Sequence, residues 1–201
     1  MTALDDLRTL LPPPPGYGRD FDWTGVEARL GVSALPNDFK QLFATYGDVR
    51  FCNALRLFRP SREAYLDLAE VTLAAREPLA SDEFGDLPTT VPDGVSVDPA
   101  TLIQWGGSFG GDYCLWDAHD PDPQRWSLVF TDIDKITWGF HPGPVTGYLL
   151  DWLHGRSAPI PLWHLDNILS PGTAPFCEFN DPDDPSGATI AERVDATQQT
   201  L

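Results

Sequence analysis

The stretch from Leu35 to Gly47, Leu-Pro-Asn-Asp-Phe-Lys-Gln-Leu-Phe-Ala-Thr-Tyr-Gly, constrains this chain more than any other. It follows Trp23, Val26-Glu27 and Leu30-Gly31. A glycine ends one short helix, Pro36-Asn37-Asp38 starts a second, and Tyr46-Gly47 closes it. Proline suits a helix start, where its missing N–H is not needed, and glycine suits the C-terminal end. Phe39, Leu42, Phe43 and Tyr46 recur at spacings of three and four, so the second helix has one buried side. Two helices with one apolar face need something larger to pack on.

From Thr101 the period changes. Residues 101–106, 112–117 and 126–131 are short, aromatic or β-branched, and separated by turn residues. Ile136 to Phe140 reads as one more strand and 144–154 as a helix ending at His154-Gly155. Upstream, residues 51–59 read as a strand. Ser61 is placed to cap a helix over about 62–76, with Tyr65, Leu68, Val71 and Leu73 or Ala75 inward. Residues 77–99 read as irregular connection. Helices followed by hairpin-linked strands predict an α+β fold: a single antiparallel-rich sheet with helices packed on it.

These segments, in this order, resemble the SUKH superfamily, which includes bacterial immunity proteins of toxin–antitoxin type and a yeast regulator of cell-wall assembly. The resemblance rests on Trp23 and Glu27, Gly31, the Leu35-Pro36-x-Asp38-Phe39-Lys40 step and Tyr46-Gly47. It continues in Ile103-Gln104-Trp105-Gly106, Gly110-Gly111-Asp112-Tyr113-Cys114-Leu115-Trp116-Asp117, Arg125 to Phe130, and Gly147 to Leu153. It covers roughly residues 20–155. It implies a non-catalytic protein-binding domain whose partner is a cognate toxin or, alternatively, a regulatory cellular protein.

Leu4, Leu7, Leu10 and Leu11 form a short amphipathic helix that Pro12 to Pro15 terminate as a stiff linker. Residues 1–19 are therefore an N-terminal helix and linker, 20–170 the SUKH-like domain, and 171–201 an acidic extension. Within it, 188–200 reads as a last helix or a frayed end.

A formal charge of −17, from 30 acidic and 13 basic residues, repels nucleic acid and anionic membranes and favours a basic partner. The same charge serves solubility equally well. Cys52, Cys114 and Cys177 lie far apart in an odd number, which argues against a disulfide framework. With no apolar leader core near Asp5 and Asp6 and no membrane-length apolar run, a cytoplasmic setting is expected.

Catalytic and metal patterns are weaker. Gly106-Gly107-Ser108-Phe109-Gly110 matches the GxSxG nucleophile elbow, which would make Ser108 a hydrolase nucleophile. That elbow needs a strand-to-helix turn, and here a strand-like segment follows; the glycines suit a hairpin with positive φ. His119, His141, His154 and His164 show no metal spacing. Asp181-x-Asp183 with Glu192 mimics a calcium loop, but Pro185 and Ser186 replace a ligand and the bending glycine. No phosphate loop or dinucleotide fingerprint is present, so no cofactor is expected. Asp112, Asp117, Asp181, Asp183 and Asp184 are the candidate partner contacts, with Trp116 as an anchor, since aromatic side chains favour binding centres.

Overall fold

The Trp23–Gly47 segment folds as two helices, α2 (Thr24–Leu30) and α3 (Asn37–Tyr46). Gly31 closes α2 in the left-handed conformation at φ 75° and gives its N–H to the Glu27 and Ala28 carbonyls, a position glycine occupies without strain. Glu27 explains the Leu-Pro step. Its carboxylate accepts the Leu35 N–H at 2.8 Å and pairs with Lys40, tying the middle of α2 to the start of α3. Trp23, Phe39 and Phe43 pack with ring centroids 5.1 to 5.9 Å apart.

The structure is a computed structural model that describes residues 1–81, 85–156, 174–181, 184 and 189–196. Besides α2 and α3 it contains α1 (Ala3–Leu10), α4 (Leu68–Ala80) and α5 (Val145–Leu153). The strands are β1 (Val49–Phe51), β2 (Leu55–Leu57), β3 (Leu102–Ser108), β4 (Tyr113–Asp117), β5 (Ser127–Thr131), β6 (Trp138–His141), β7 (Phe176–Asn180) and β8 (Ile190–Asp195). All eight form one antiparallel sheet in the order β6-β5-β4-β3-β2-β1-β7-β8. The α+β architecture follows.

Strand alternation divides the interior into two cores. Ile103, Trp105, Cys114, Trp116, Leu128 and Phe130 face one core, which α1, α2, α3 and α5 close with Leu7, Leu30, Phe43 and Tyr148. Leu102, Leu115 and Val129 face the other, closed by Ala75 and Leu79 of α4, with Tyr113, Trp138 and Phe140 at its margin. Three connections join the helices to this frame. Asp38 accepts the Thr146 N–H at 3.1 Å and its hydroxyl at 3.2 Å, capping α5 from α3. Asp67 caps α4 by accepting from Glu70 at 2.9 Å and also receives Arg29 at 2.9 Å. Tyr46 donates its hydroxyl to the Leu11 carbonyl at 2.8 Å, so the N-terminal helix packs on the domain.

Several expected elements differ. The strand over 51–59 is a hairpin, β1 and β2, turning through Cys52 and Asn53 at φ 54° and 49°. The α4 cap is Asp67 rather than Ser61, whose hydroxyl instead accepts the Glu63 N–H at 3.1 Å. Leu68, Thr72, Ala75 and Leu79 form the buried stripe of α4, while Tyr65 and Leu73 are exposed. Of the segment 188–200, expected as a last helix or a frayed end, Ile190–Asp195 is the strand β8. Its register is Phe176↔Asp195, Cys177↔Val194 and Glu178↔Arg193, and β7 in turn pairs with β1. β7 and β8 thus complete one side of the sheet. No helix among the described residues is long and apolar enough to cross a membrane.

Candidate protein-binding surface

Three of the expected contact residues are interior. Trp116 is 1% exposed and packs on Phe39 at 4.7 Å and between Trp105 and Trp126 at 6.3 and 6.0 Å, so it is a core residue and not an anchor. Asp117, also 1% exposed, accepts the Ser96 N–H at 2.6 Å and contacts His119 Nδ1 at 2.7 Å. Asp112 is 3% exposed and accepts the Ser108 hydroxyl at 2.6 Å. A short carboxylate beside a turn serves local donors before it serves a partner.

Ser108 itself is a turn residue. Its oxygen also accepts the Gly110 and Asp112 N–H groups at 3.1 and 3.2 Å, and the chain continues into β4. It therefore does not sit on a strand-to-helix elbow. Of the glycines around it only Gly111 has a positive φ, +90°. Gly106 and Gly107 lie inside β3 instead, where Gly106 lets the Arg56 carbonyl approach.

Asp181 and Asp184 line an open cavity of about 390 Å3 with Arg19, Asp48, Arg59 and Arg62. Its floor is an ion pair: Arg59 donates to Asp48 and lies 5.4 Å from the Phe21 ring centroid. Asp184 also closes the β7–β8 connection by accepting the Thr189 N–H at 2.9 Å. Asp183 and His164 lie outside the described residues. The cleft's three arginines and three aspartates balance in number, so its lining carries no net formal charge.

The opposite end of the sheet is built differently. In an antiparallel sheet of this order the β1–β2, β3–β4 and β5–β6 turns share one end. Three large apolar side chains stand exposed there: Phe109 (58%), Ile133 (52%) and Ile136 (74%). They are held, not loose. The Phe109 N–H donates to the Ala54 carbonyl at 3.2 Å, and its ring lies 5.7 and 5.6 Å from the Arg50 and Arg56 guanidiniums. Ile133 packs so closely on Gly111 that a Cβ there would sit 2.7 Å from its Cδ1.

The β5–β6 turn is fixed at two points. Asp132 accepts the Ile136 and Thr137 N–H groups at 3.0 and 2.9 Å, and the Thr137 hydroxyl as well. Burial pushes the Asp132 carboxyl up, but these donors outweigh it and hold it below the ordinary carboxylate value. Lys135, only 3% exposed and at φ 54°, turns its ammonium inward to the Ser81 and Leu79 carbonyls at the end of α4. Cations suit that end of a helix dipole. With Lys135 drawn inward, the side chains left on the outside of the turn are Ile133, Asp134 and Ile136.

The histidines are dispersed. His154 caps α5, and His141 lies 3.9 Å from Asp151, with burial lowering its pKa against the pull of that carboxylate. Among the described residues no group of His, Cys, Asp and Glu could hold a metal ion. Burial raises all three thiols, Cys52 to about 11 and Cys114 and Cys177 well above the usual range, so they are thiols rather than nucleophilic thiolates at neutral pH. Comparison with known protein families, characterised proteins and solved structures finds no match to this chain.

Proposed function

We propose that this is a non-catalytic binding protein of immunity type, which neutralises a basic cognate protein toxin by occluding it. The observation that carries the reading is the turn end of the sheet. Ile133 and Ile136 are exposed on a loop that Asp132 and Lys135 hold rigid, beside Phe109 on the next turn. Exposed apolar side chains cost a free protein solubility, and a rigid set is what an interface core uses. Preorganised anchors lose little entropy on docking.

Charge supports a basic partner. The chain carries −17, and the only cation of the β5–β6 turn is turned inward. A nuclease toxin is basic because its substrate is a polyanion, and complementary charge speeds association. The resemblance to the SUKH superfamily points to the same class. Co-expression with any toxin candidates encoded beside its gene tests the reading. Growth rescue with a stoichiometric complex, weakening as salt rises, is expected. If no candidate is rescued and a regulatory cellular protein is captured instead, the immunity reading fails while the binding reading stands.

A further inference from the structure

The two edges of the sheet are guarded unequally. An edge strand presents unpaired backbone N–H and C=O groups, and charged residues or proline normally keep other chains from pairing with it. At one edge β8 reads Ile-Ala-Glu-Arg-Val-Asp, with Glu192, Arg193 and Asp195 all exposed. At the other β6 reads Trp-Gly-Phe-His, with no lysine, glutamate, aspartate or proline among its four residues. All four are half-buried, and their pairing within the sheet is with β5 alone.

A groove of about 560 Å3 runs along this edge. One wall is Ile136, Trp138 and Phe140; the other is the segment around Leu87 and Pro88. That segment is fixed where it enters, because Trp138 Nε1 donates to the Asp86 carbonyl at 3.3 Å. Gly85 approaches the β5–β6 turn so closely that a Cβ would lie 2.8 Å from the Asp134 carbonyl. No backbone hydrogen bond links residues 85–90 to β6. The groove therefore lies between β6 and an irregular segment that makes no backbone hydrogen bond to it.

We infer that this groove accepts an extended segment of the partner, which adds to the sheet as a further strand against β6. The inference rests on the protein-binding reading and names its mode of docking. Main-chain hydrogen bonds to β6 give affinity, and side chains at alternate positions enter the space between Trp138, Phe140 and Leu87. The chemistry of the segment follows from the charge around it. Asp86 lines the groove, Asp132 and Asp134 stand in the turn above it, and the one lining cation, Lys135, is engaged by α4. The fitting segment alternates apolar residues with lysine or arginine.

Amide hydrogen exchange of the full chain tests this with two eight-residue probes. One alternates valine and arginine. The other has the same side chains but N-methylated backbone amides throughout, so it cannot donate to a ladder. The strand-forming probe is expected to bind at least tenfold more tightly and to slow exchange at Trp138–His141, with loss of binding in Leu87→Arg and Ile136→Arg. Equal affinity of the two probes would mean charge attraction alone and overturn the inference. So would protection confined to the Asp181 cleft, or a concentration-dependent dimer of the free chain that Ile136→Arg abolishes, which would make a second copy the occupant. The same exchange experiment with a partner captured by co-expression separates the two readings. A partner that binds without protecting β6 sinks this mode and leaves the binding function intact.

Discussion

Replacing Lys135 with methionine isolates what holds the exposed isoleucines in place. The stem keeps its apolar contacts, and only the ammonium is lost. In the folded protein that ammonium is buried and donates to two carbonyls, Ser81 closely and Leu79 at the 3.5 Å limit. The Leu79 contact lies at the outer limit for a hydrogen bond, so one bond is counted. One hydrogen bond involving a charged group contributes about 1.5–3 kcal/mol. The favourable placement at the α4 C-terminus adds about 0.3–1 kcal/mol. Against these stands the cost of burying an ammonium, which methionine removes. The balance is a loss of about 1–2 kcal/mol, or roughly 2–8 °C in Tm at about 2–4 °C per kcal/mol for a domain near this size. Urea unfolding with an unchanged slope measures it. Exchange at the Ile136 amide should accelerate more than global stability requires, because the turn loses its tie to α4. A variant as stable as the parent, with unchanged exchange at Ile136, would refute the claim that Lys135 fixes the turn.

Other outcomes follow from the same contacts. Trp116→Ala should cost about 3–5 kcal/mol in chemical denaturation, as truncating a buried aromatic does; a surface anchor would cost almost nothing. Asp67→Ala removes the α4 cap and leaves the Ser61 N–H without its acceptor at 3.1 Å, a combined loss of about 2–3 kcal/mol by thermal unfolding. Burial raises the Asp38 pKa above 3.8, with the Thr146 donors opposing the shift only in part. An acid whose folded pKa is raised costs stability in its ionised form, a cost absent below pH 3.8 and growing as pH rises through the folded value. Asp38→Asn, which keeps an acceptor for Thr146, should match the parent in acid and gain on it towards neutral pH. A constant difference across that range would contradict the assignment.

The parts of the fold legible in the sequence are those whose local signals agree with their tertiary use. Pro36, Gly31 and Gly47 punctuate α2 and α3, and the aromatic runs of β3, β4 and β5 alternate between two cores. The misplaced elements lacked such agreement. The β1–β2 turn uses Cys52 and Asn53 at positive φ, where a glycine would have announced it. Both Ser61 and Asp67 are good cap residues, and only the inward stripe from Leu68 to Leu79 decides between them. β8 is composed like a helix and becomes a strand because β7 offers it a ladder, a choice made by pairing rather than propensity.

The surface was the least legible part. Asp112 and Asp117, candidate partner contacts by sequence, are buried and accept from the Ser108 hydroxyl and the Ser96 N–H. Asp181 and Asp184 do line a cleft. Ile136 opens the strand expected over 136–140, whereas in the structure it ends the turn that Asp132 closes and β6 starts at Trp138. The usable signal was Asp132 followed by the amides of Ile136 and Thr137, since an aspartate that caps its own turn fixes which neighbours face outward.

The most direct test of binding through the turn end is growth rescue by the parent chain and by Ile133→Arg with Ile136→Arg, each co-expressed with any toxin candidates encoded beside its gene. Both positions are exposed, so the variant should unfold like the parent. Rescue by the parent and none by the variant is the predicted result. Rescue by neither, or equal rescue by both, would contradict it.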